Sequence, residues 1–353
     1  MKTRPRPDTA TRRPVSSIGL ARGNGSRAAG LAIALAALSG AVAASILIGA
    51  HPVSAAQVYT AFTDPTGSDT DRIVLHLRAP RTAVGLLAGL ALGAAGTLVQ
   101  AITRNPLGGP DILGVNAGAA LTVVLAIAAL DLVSFHGYVW FAFVGAAAAG
   151  VVVYAVGSLG QGGATPVKLA LAGAAVTAML GAVTSAVTLL DLTTLNEFRF
   201  WSVGSLGAAD SAIAAGLLPF IAAGLVIAVA LTRSMNALAL GDTLASGLGA
   251  RPHLVRGLGG AAAVLLAGAA TAAAGPIGFV GLMAPHAARA LVGADYRWIL
   301  VWSAVIAATL LLAADVLARI MVRPEELQVG VVTALVGAPC FLYLIRRHTL
   351  VRL

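Results

Sequence analysis

Few side chains in this 353-residue chain could do chemistry on a bound molecule, and their spacing excludes most of it. The six histidines, at 51, 76, 136, 253, 286 and 348, include no pair at metal-ligand spacing, so no metal site is expected. The single cysteine, Cys340, excludes an internal disulfide framework. No stretch reads GxxxxGK followed by Ser or Thr, so the chain lacks the phosphate-cradling loop of a nucleotide site. Nor do His, Asp and Glu cluster as a membrane enzyme would need, and no cofactor is expected. What remains are polar groups set in apolar sequence: Arg78, Arg81, Gln100, Asn105, Asn116, His286, and Asp315 with Arg319 at i,i+4 spacing. Their chemistry is ion pairing, helix capping and hydrogen bonding at membrane depth.

The elements that must hold these groups are membrane helices. The chain is 58% hydrophobic and 10% charged, with a mean hydropathy of +0.90, outside the range of soluble domains. Its isoelectric point near 10.7 could suggest nucleic acid. In so apolar a chain, basic residues set membrane topology instead, and no nucleic-acid partner is expected. The organising stretch runs from Arg78 to Ala120. Within it Gly85, Gly89, Gly93 and Gly96 recur every three or four residues, a helix face that admits another backbone closely. The elbow Asn105-Pro106-Leu107-Gly108-Gly109-Pro110 then breaks the helix.

In chain order, residues 1–27 read as a disordered basic cytoplasmic tail. The apolar run 28–50 reads as a membrane span, too long for the core of a cleaved signal. Ser54 is expected to cap a short external helix through Tyr59 and Phe62. Further spans are expected at about 82–103, 112–130, 138–157, 168–190, 211–232, 257–274, 277–292, 298–318 and 327–345. Gly160 to Pro166 reads as a flexible inner loop, Arg323-Pro-Glu-Glu as an outer turn, and Phe198-Arg199-Phe200-Trp201 as an outer aromatic anchor. The polar loop 233–256 separates two halves, 28–232 and 257–347, and residues 348–353 form a cytoplasmic end. In that loop Asp242 is expected to cap a short helix carrying Leu244 and Leu248 and ending near Gly247 or Gly249.

With this arrangement seventeen of the 23 Lys and Arg fall inside and six outside, so both termini are expected to be cytoplasmic. An internal echo at an offset of 179 residues supports two halves. Leu86-Leu87-Ala88-Gly89 matches Leu265-Leu266-Ala267-Gly268, and Gly96, Pro106 and Gly114 match Gly275, Pro285 and Gly293. Five spans per half is an odd number, so the second copy must run upside down. The expected fold is an all-α polytopic membrane protein of about ten transmembrane helices in two inverted five-helix repeats.

These motifs resemble the FecCD family, the permease subunits of type II ABC importers for iron–siderophores, haem and cobalamin. The resemblance covers about Ala28 to Arg347. It rests on Arg78-Ala-Pro-Arg81, Gln100 to Ala119, Gly275 to Arg289, Gly293-Ala-Asp-Tyr-Arg297, Ala314-Asp315 with Arg319, and Val329 to Phe341. Family members most often read RLPR and NPLADP, from which Ala79, Gly108 and Gly109 depart. Arg104-Asn-Pro-Leu, Leu113-Gly-Val-Asn-Ala-Gly and Phe198-Arg-Phe-Trp most resemble the ferric-catecholate branch.

The resemblance implies a transport subunit rather than an enzyme, in the cytoplasmic (inner) membrane, importing a ferric siderophore or alternatively haem or cobalamin. It implies a cytoplasmic ABC ATPase dimer, an extracytoplasmic substrate-binding protein and a second permease copy or paralogue as partners. The ATPase is expected under the loop bearing Asp242, Leu244, Leu248 and Gly249, and the binding protein at Arg78, Arg81 and Arg319. Each has a plainer alternative: an ordinary loop, interfacial snorkelling of Arg81, and an Asp315–Arg319 pair. Gln100, Asn105, Pro106, Asn116, Gly275, Pro276, Pro285 and His286 mark helix breaks and pore-adjacent positions. Asn105 and Asn116 either cap helices or meet cargo, Gln100 faces the pore or a neighbouring helix, and His286 is a hydrogen-bonder or a proton carrier. From another class, an ion-coupled secondary transporter also fits broken helices and inverted repeats, with Asp315 as its one clear intramembrane carboxylate.

Overall fold

The computed structural model describes residues 23–160, 163–322 and 325–347. Most of the basic tail, the residues after 347, and parts of the 160–166 loop and of the Arg323 turn lie outside them. The described chain is helical throughout, without strands.

Helix α1 (Asn24–Leu47) is followed by α2 (Ala55–Thr63) and α3 (Asp69–Arg72). Ser54 caps α2 by accepting from the Gln57 N–H, as its position predicts. A π-helical turn, Ile73–Arg78, leads without a break into α4 (Ala79–Thr103). The elbow follows, ending in a 3₁₀ turn at Pro110–Leu113, and then come α5 (Val115–Leu130), α6 (Phe135–Ser158) and α7 (Pro166–Leu190). The short α8 (Leu192–Ser202) precedes α9 (Ser211–Leu238), α10 (Asp242–Gly247) and α11 (Pro252–Ala274). Finally come α12 (Val280–Val292), α13 (Tyr296–Met321) and α14 (Val329–Arg347).

Every expected span is a helix, yet they are unequal. Among the described residues seven helical runs are long and apolar enough to cross a membrane: α1, Asp69–Thr103, α6, α7, α9, α11 and α13. The 16 residues of α5 rise about 24 Å, and the 13 of α12 about 20 Å, short of a bilayer's apolar thickness of about 30 Å. The missing length is backbone at the two breaks. Such irregular chain at membrane depth is tolerated only where protein buries it or it lines a cavity.

Helices α4, α11 and α13 form the buried centre, wrapped by α1, α5, α6, α7, α9, α12 and α14. The glycine face of α4 is what lets them approach. A Cβ at Gly89 or Gly93 would strike the α13 backbone at Ala308 or Ser303, and one at Gly96 would strike the Gly281 carbonyl of α12. The echo is visible in the backbone as well: Gly114 and Gly293, paired by the offset, both adopt positive φ, 70° and 82°. Outward, Val167, Leu171, Met179, Leu189 and Leu190 on α7 and Leu335 on α14 remain exposed, as apolar surface in a bilayer should.

Candidate functional site

The site has three levels along the membrane. The middle level is where the two breaks meet. Gly109, Pro110 and Asp111 from the first, and Ile277, Gly278 and Phe279 from the second, wall a cavity of about 290 Å³ with Leu92, Asn116 and Thr271. Its polar lining is a chain: the Asn116 amide donates to Asp111, and Thr271 Oγ1 donates to Asn116 Oδ1 at 2.8 Å. Asn116 therefore ties α5 to α11, and is neither a helix cap nor a stray polar group. Asp111 is the functional candidate that sequence reading passed over, because a lone acid within Gly-Gly-Pro-Asp reads as turn chemistry. Its place on the cavity wall shows only once the elbow is seen to lay Ile112 against Gly173 of α7, leaving the Asp111 side chain open to the cavity.

The other break residues divide. Gln100 satisfies a neighbouring helix, its Nε2 donating to Leu282 O of α12 at 3.1 Å. Asn105 makes a local turn by accepting from the Leu107 N–H at 2.9 Å, and does not cap a helix. Pro106 lies in that turn. Gly275, at φ 70°, packs against Trp201 O and Gly204, and Pro276 begins the extended stretch into α12. Pro285 sits inside α12 against Gly96, and His286 beside it is half-buried. The aromatic anchor is split: Trp201 is buried and stacked on Phe198, while Phe200 is exposed under the Arg199 guanidinium.

A second level, at the α10 end of the helices, is built on α10 itself. The expectation that Asp242 caps this helix is not met: the cap is Gly241, with no side-chain bond. The carboxylate is instead drawn to two cations, because charge-assisted bonds outweigh a neutral cap. Arg256 of α11 holds it with Nη1 and Nη2 at 3.0 and 2.9 Å, and Arg104 at the end of α4 holds it from the other side. Hydrogen bonding from Arg256, opposed by slight burial and helped by Arg104, keeps the Asp242 carboxyl below its usual range. Arg104 also donates to Leu238 O of α9 at 3.0 Å. So α10 is tied to α4, α9 and α11 at once. Its two leucines are left out of the core, Leu244 61% and Leu248 67% exposed, and Gly249 ends the turn at φ 82° as expected.

The third level, at the opposite end, holds the three arginines, and here the expected exposure fails, least so for Arg81 at 12%. Arg78 and Arg319 are buried, 5% and 2% exposed. Arg78 donates to Ile46 O and Leu47 O at 2.9 and 2.8 Å and to His51 O. Arg319 donates to Ser45 O and Ile48 O, both at 2.9 Å, and pairs with Asp315 at 2.9 Å. The reason is the end of α1, whose last carbonyls have no intrahelical partner and carry the negative end of the helix dipole. Arg81 grips Asp315 with Nε and Nη2, the shortest bond 2.8 Å, and reaches Glu326 with Nη1 at 2.6 Å. Asp315, the intramembrane carboxylate, is thus enclosed by two guanidiniums.

Among the described residues, no group of three or more His, Cys, Asp or Glu side chains is arranged to hold a metal ion. The profile of the FecCD transport family matches residues 35–347. The probable siderophore transport system permease protein YfiZ of Bacillus subtilis is 43% identical over 307 residues, 87% of this chain and 92% of that protein. The ferric enterobactin transport system permease protein FepD of Escherichia coli is 45% identical over 310 residues, 88% of this chain and 92% of that one. Among solved structures, an inward-facing metal-chelate type ABC transporter superposes with a TM-score of 0.81 at 27% identity, covering 91% of this chain and 100% of the other. The chain is a multi-pass membrane transport subunit rather than an enzyme, and it belongs to the FecCD transport family.

Proposed function

We propose that the chain is the permease of an ATP-driven importer that carries a ferric siderophore across the cytoplasmic membrane, its termini inside. Relatives named for siderophore and ferric enterobactin transport support the cargo, and the motifs at Arg104 and Phe198 favour a catecholate. The cytoplasmic partner is an ABC ATPase dimer, the outer partner a substrate-binding protein, and the assembly is completed by a second permease copy or a paralogue. The observation that carries this reading is α10. Leu244 within this six-residue helix and Leu248 at its C-terminal cap stay exposed, while three larger helices hold the helix in place. A rigid, exposed apolar ridge is what a force-transmitting contact needs, since a loose loop would absorb the motion.

In this mechanism, closure of the ATPase pushes on Leu244 and Leu248. The Asp242 ion pairs pass the push to α4 and α11, the two central helices that flank the cavity. Tilting them moves the two breaks and opens the cavity to one side, then the other. Asp111, Asn116 and Thr271 give departing cargo polar contact at mid-membrane. At the rim, Arg81 is the docking contact for the binding protein, and Arg78 and Arg319 support it by holding the end of α1. Leu244→Asp with Leu248→Asp tests the proposal. The double variant is expected to insert and to bind the receptor but to lose the ATPase and uptake, with an unpaired charge in a buried contact costing roughly several kcal/mol. Co-purification with a fully active ATPase would remove α10 from the mechanism.

A further inference from the structure

The three guanidiniums at the outer rim are used unequally. Arg78 and Arg319 spend their donors on the closing carbonyls of α1 and on Asp315, where no partner can reach them without unwinding that helix. Arg81 differs. Its inner edge is locked on Asp315, but its outward Nη1 is met by Glu326, 245 residues away in sequence. The Arg81 side chain is 12% exposed and that of Glu326 37%. Glu326 lies three residues before α14, in a segment pinned to α13 by the Leu327 N–H on Ala318 O at 3.1 Å. A cavity of about 170 Å³ opens beside the pair, lined by Leu77, Arg78, Arg81, Arg319 and Glu326 with His51. Three guanidiniums against two carboxylates leave this corner with an excess of one positive charge. Arg81 is mostly covered, but Glu326 is open to solvent on its outer side, so this arm can exchange for another carboxylate in the same position while the Asp315 arm stays in place.

We propose that Glu326 is an internal stand-in for a carboxylate of the binding protein: it occupies the outward edge of Arg81 in the free permease and is displaced when an acidic partner face docks. This rests on the docking role given to Arg81 above. Exchange removes one of the ties on the segment before α14, whose Gly330 lies against the Val203 carbonyl beside the second break.

The test uses the full permease with its ATPase in lipid nanodiscs and, as probe, the purified binding protein of the same transport system. Association is measured at low and at physiological salt. Glu326→Gln leaves the buried Arg81–Asp315 pair intact and is expected to tighten association about two- to five-fold, with a steeper salt dependence. In Arg81→Gln/Glu326→Gln the gain disappears. Unchanged or weaker association in Glu326→Gln, with weaker association in Arg81→Gln, overturns the stand-in while docking at Arg81 survives. If Arg81→Gln and the double variant both bind like wild type, the docking role itself falls.

Discussion

Removing the charge of Asp315 exposes how the outer rim is held. In Asp315→Asn the side chain keeps its size but can no longer neutralise Arg81 and Arg319, which approach it at 2.8 and 2.9 Å. Asp315 is fully buried, Arg319 nearly so, and Arg81 almost covered, so water cannot replace the lost partner. Breaking a buried pair by removing one member costs about 3–5 kcal/mol, because the remaining charge stays buried and uncompensated. Arg81 keeps Glu326 and Arg319 keeps the α1 carbonyls, which puts the expected loss at the lower end, about 3 kcal/mol. That is roughly a hundredfold shift toward unfolded protein, at about 1.4 kcal/mol per tenfold. The assay is thermal unfolding of the purified permease in detergent, followed by intrinsic tryptophan fluorescence, since Trp201 and Trp302 are buried in the fold. Asp315→Asn is expected to melt several degrees below wild type, while Glu326→Gln, which breaks only the exposed arm, melts with it. Equal melting of Asp315→Asn and wild type would refute the reasoning that this pair holds α4 to α13.

Gly96→Val drives a side chain into the Gly281 carbonyl and is expected to lower folded yield sharply, whereas Gly40→Ala, in open space on α1, leaves yield unchanged; size-exclusion profiles read both. Reporter fusions at Arg72 and Arg199 are expected to read external and those at Arg251 and Arg352 cytoplasmic; an external C-terminus would sink the inverted repeat. Acid is expected to reach the α10 anchor only below the ordinary carboxylate range. Because Asp242 titrates below its usual range in the folded protein, its pairs contribute above the unfolded carboxylate value and are lost only as pH falls through the lower folded one. ATPase co-purification should therefore be flat from neutral pH down to about pH 5.

The helices were legible because bilayer length and glycine spacing are local properties of sequence. Leu244 and Leu248 were legible for a similar reason, as an apolar pair one turn apart in a polar loop. Partner choice was harder to read. Asp242 resembles a cap until Arg104 and Arg256 arrive from helices 138 and 14 residues away, and charge outcompetes the local N–H. Arg78 and Arg319 resemble rim charges because nothing in sequence announces that the end of α1 lies beside them. Asp111 was hidden in turn chemistry, and only the folded elbow brings it to the cavity wall.

The central claim is that ATP hydrolysis by a separate subunit drives cargo through this chain. It is tested most directly by uptake of a labelled ferric siderophore into proteoliposomes holding the permease, its ATPase and the binding protein, with haem and cobalamin as competing cargoes. Uptake is expected only with ATP on the ATPase side, to vanish with a hydrolysis-dead ATPase, and to ignore proton and sodium gradients. Uptake driven by an ion gradient without ATP would contradict the account.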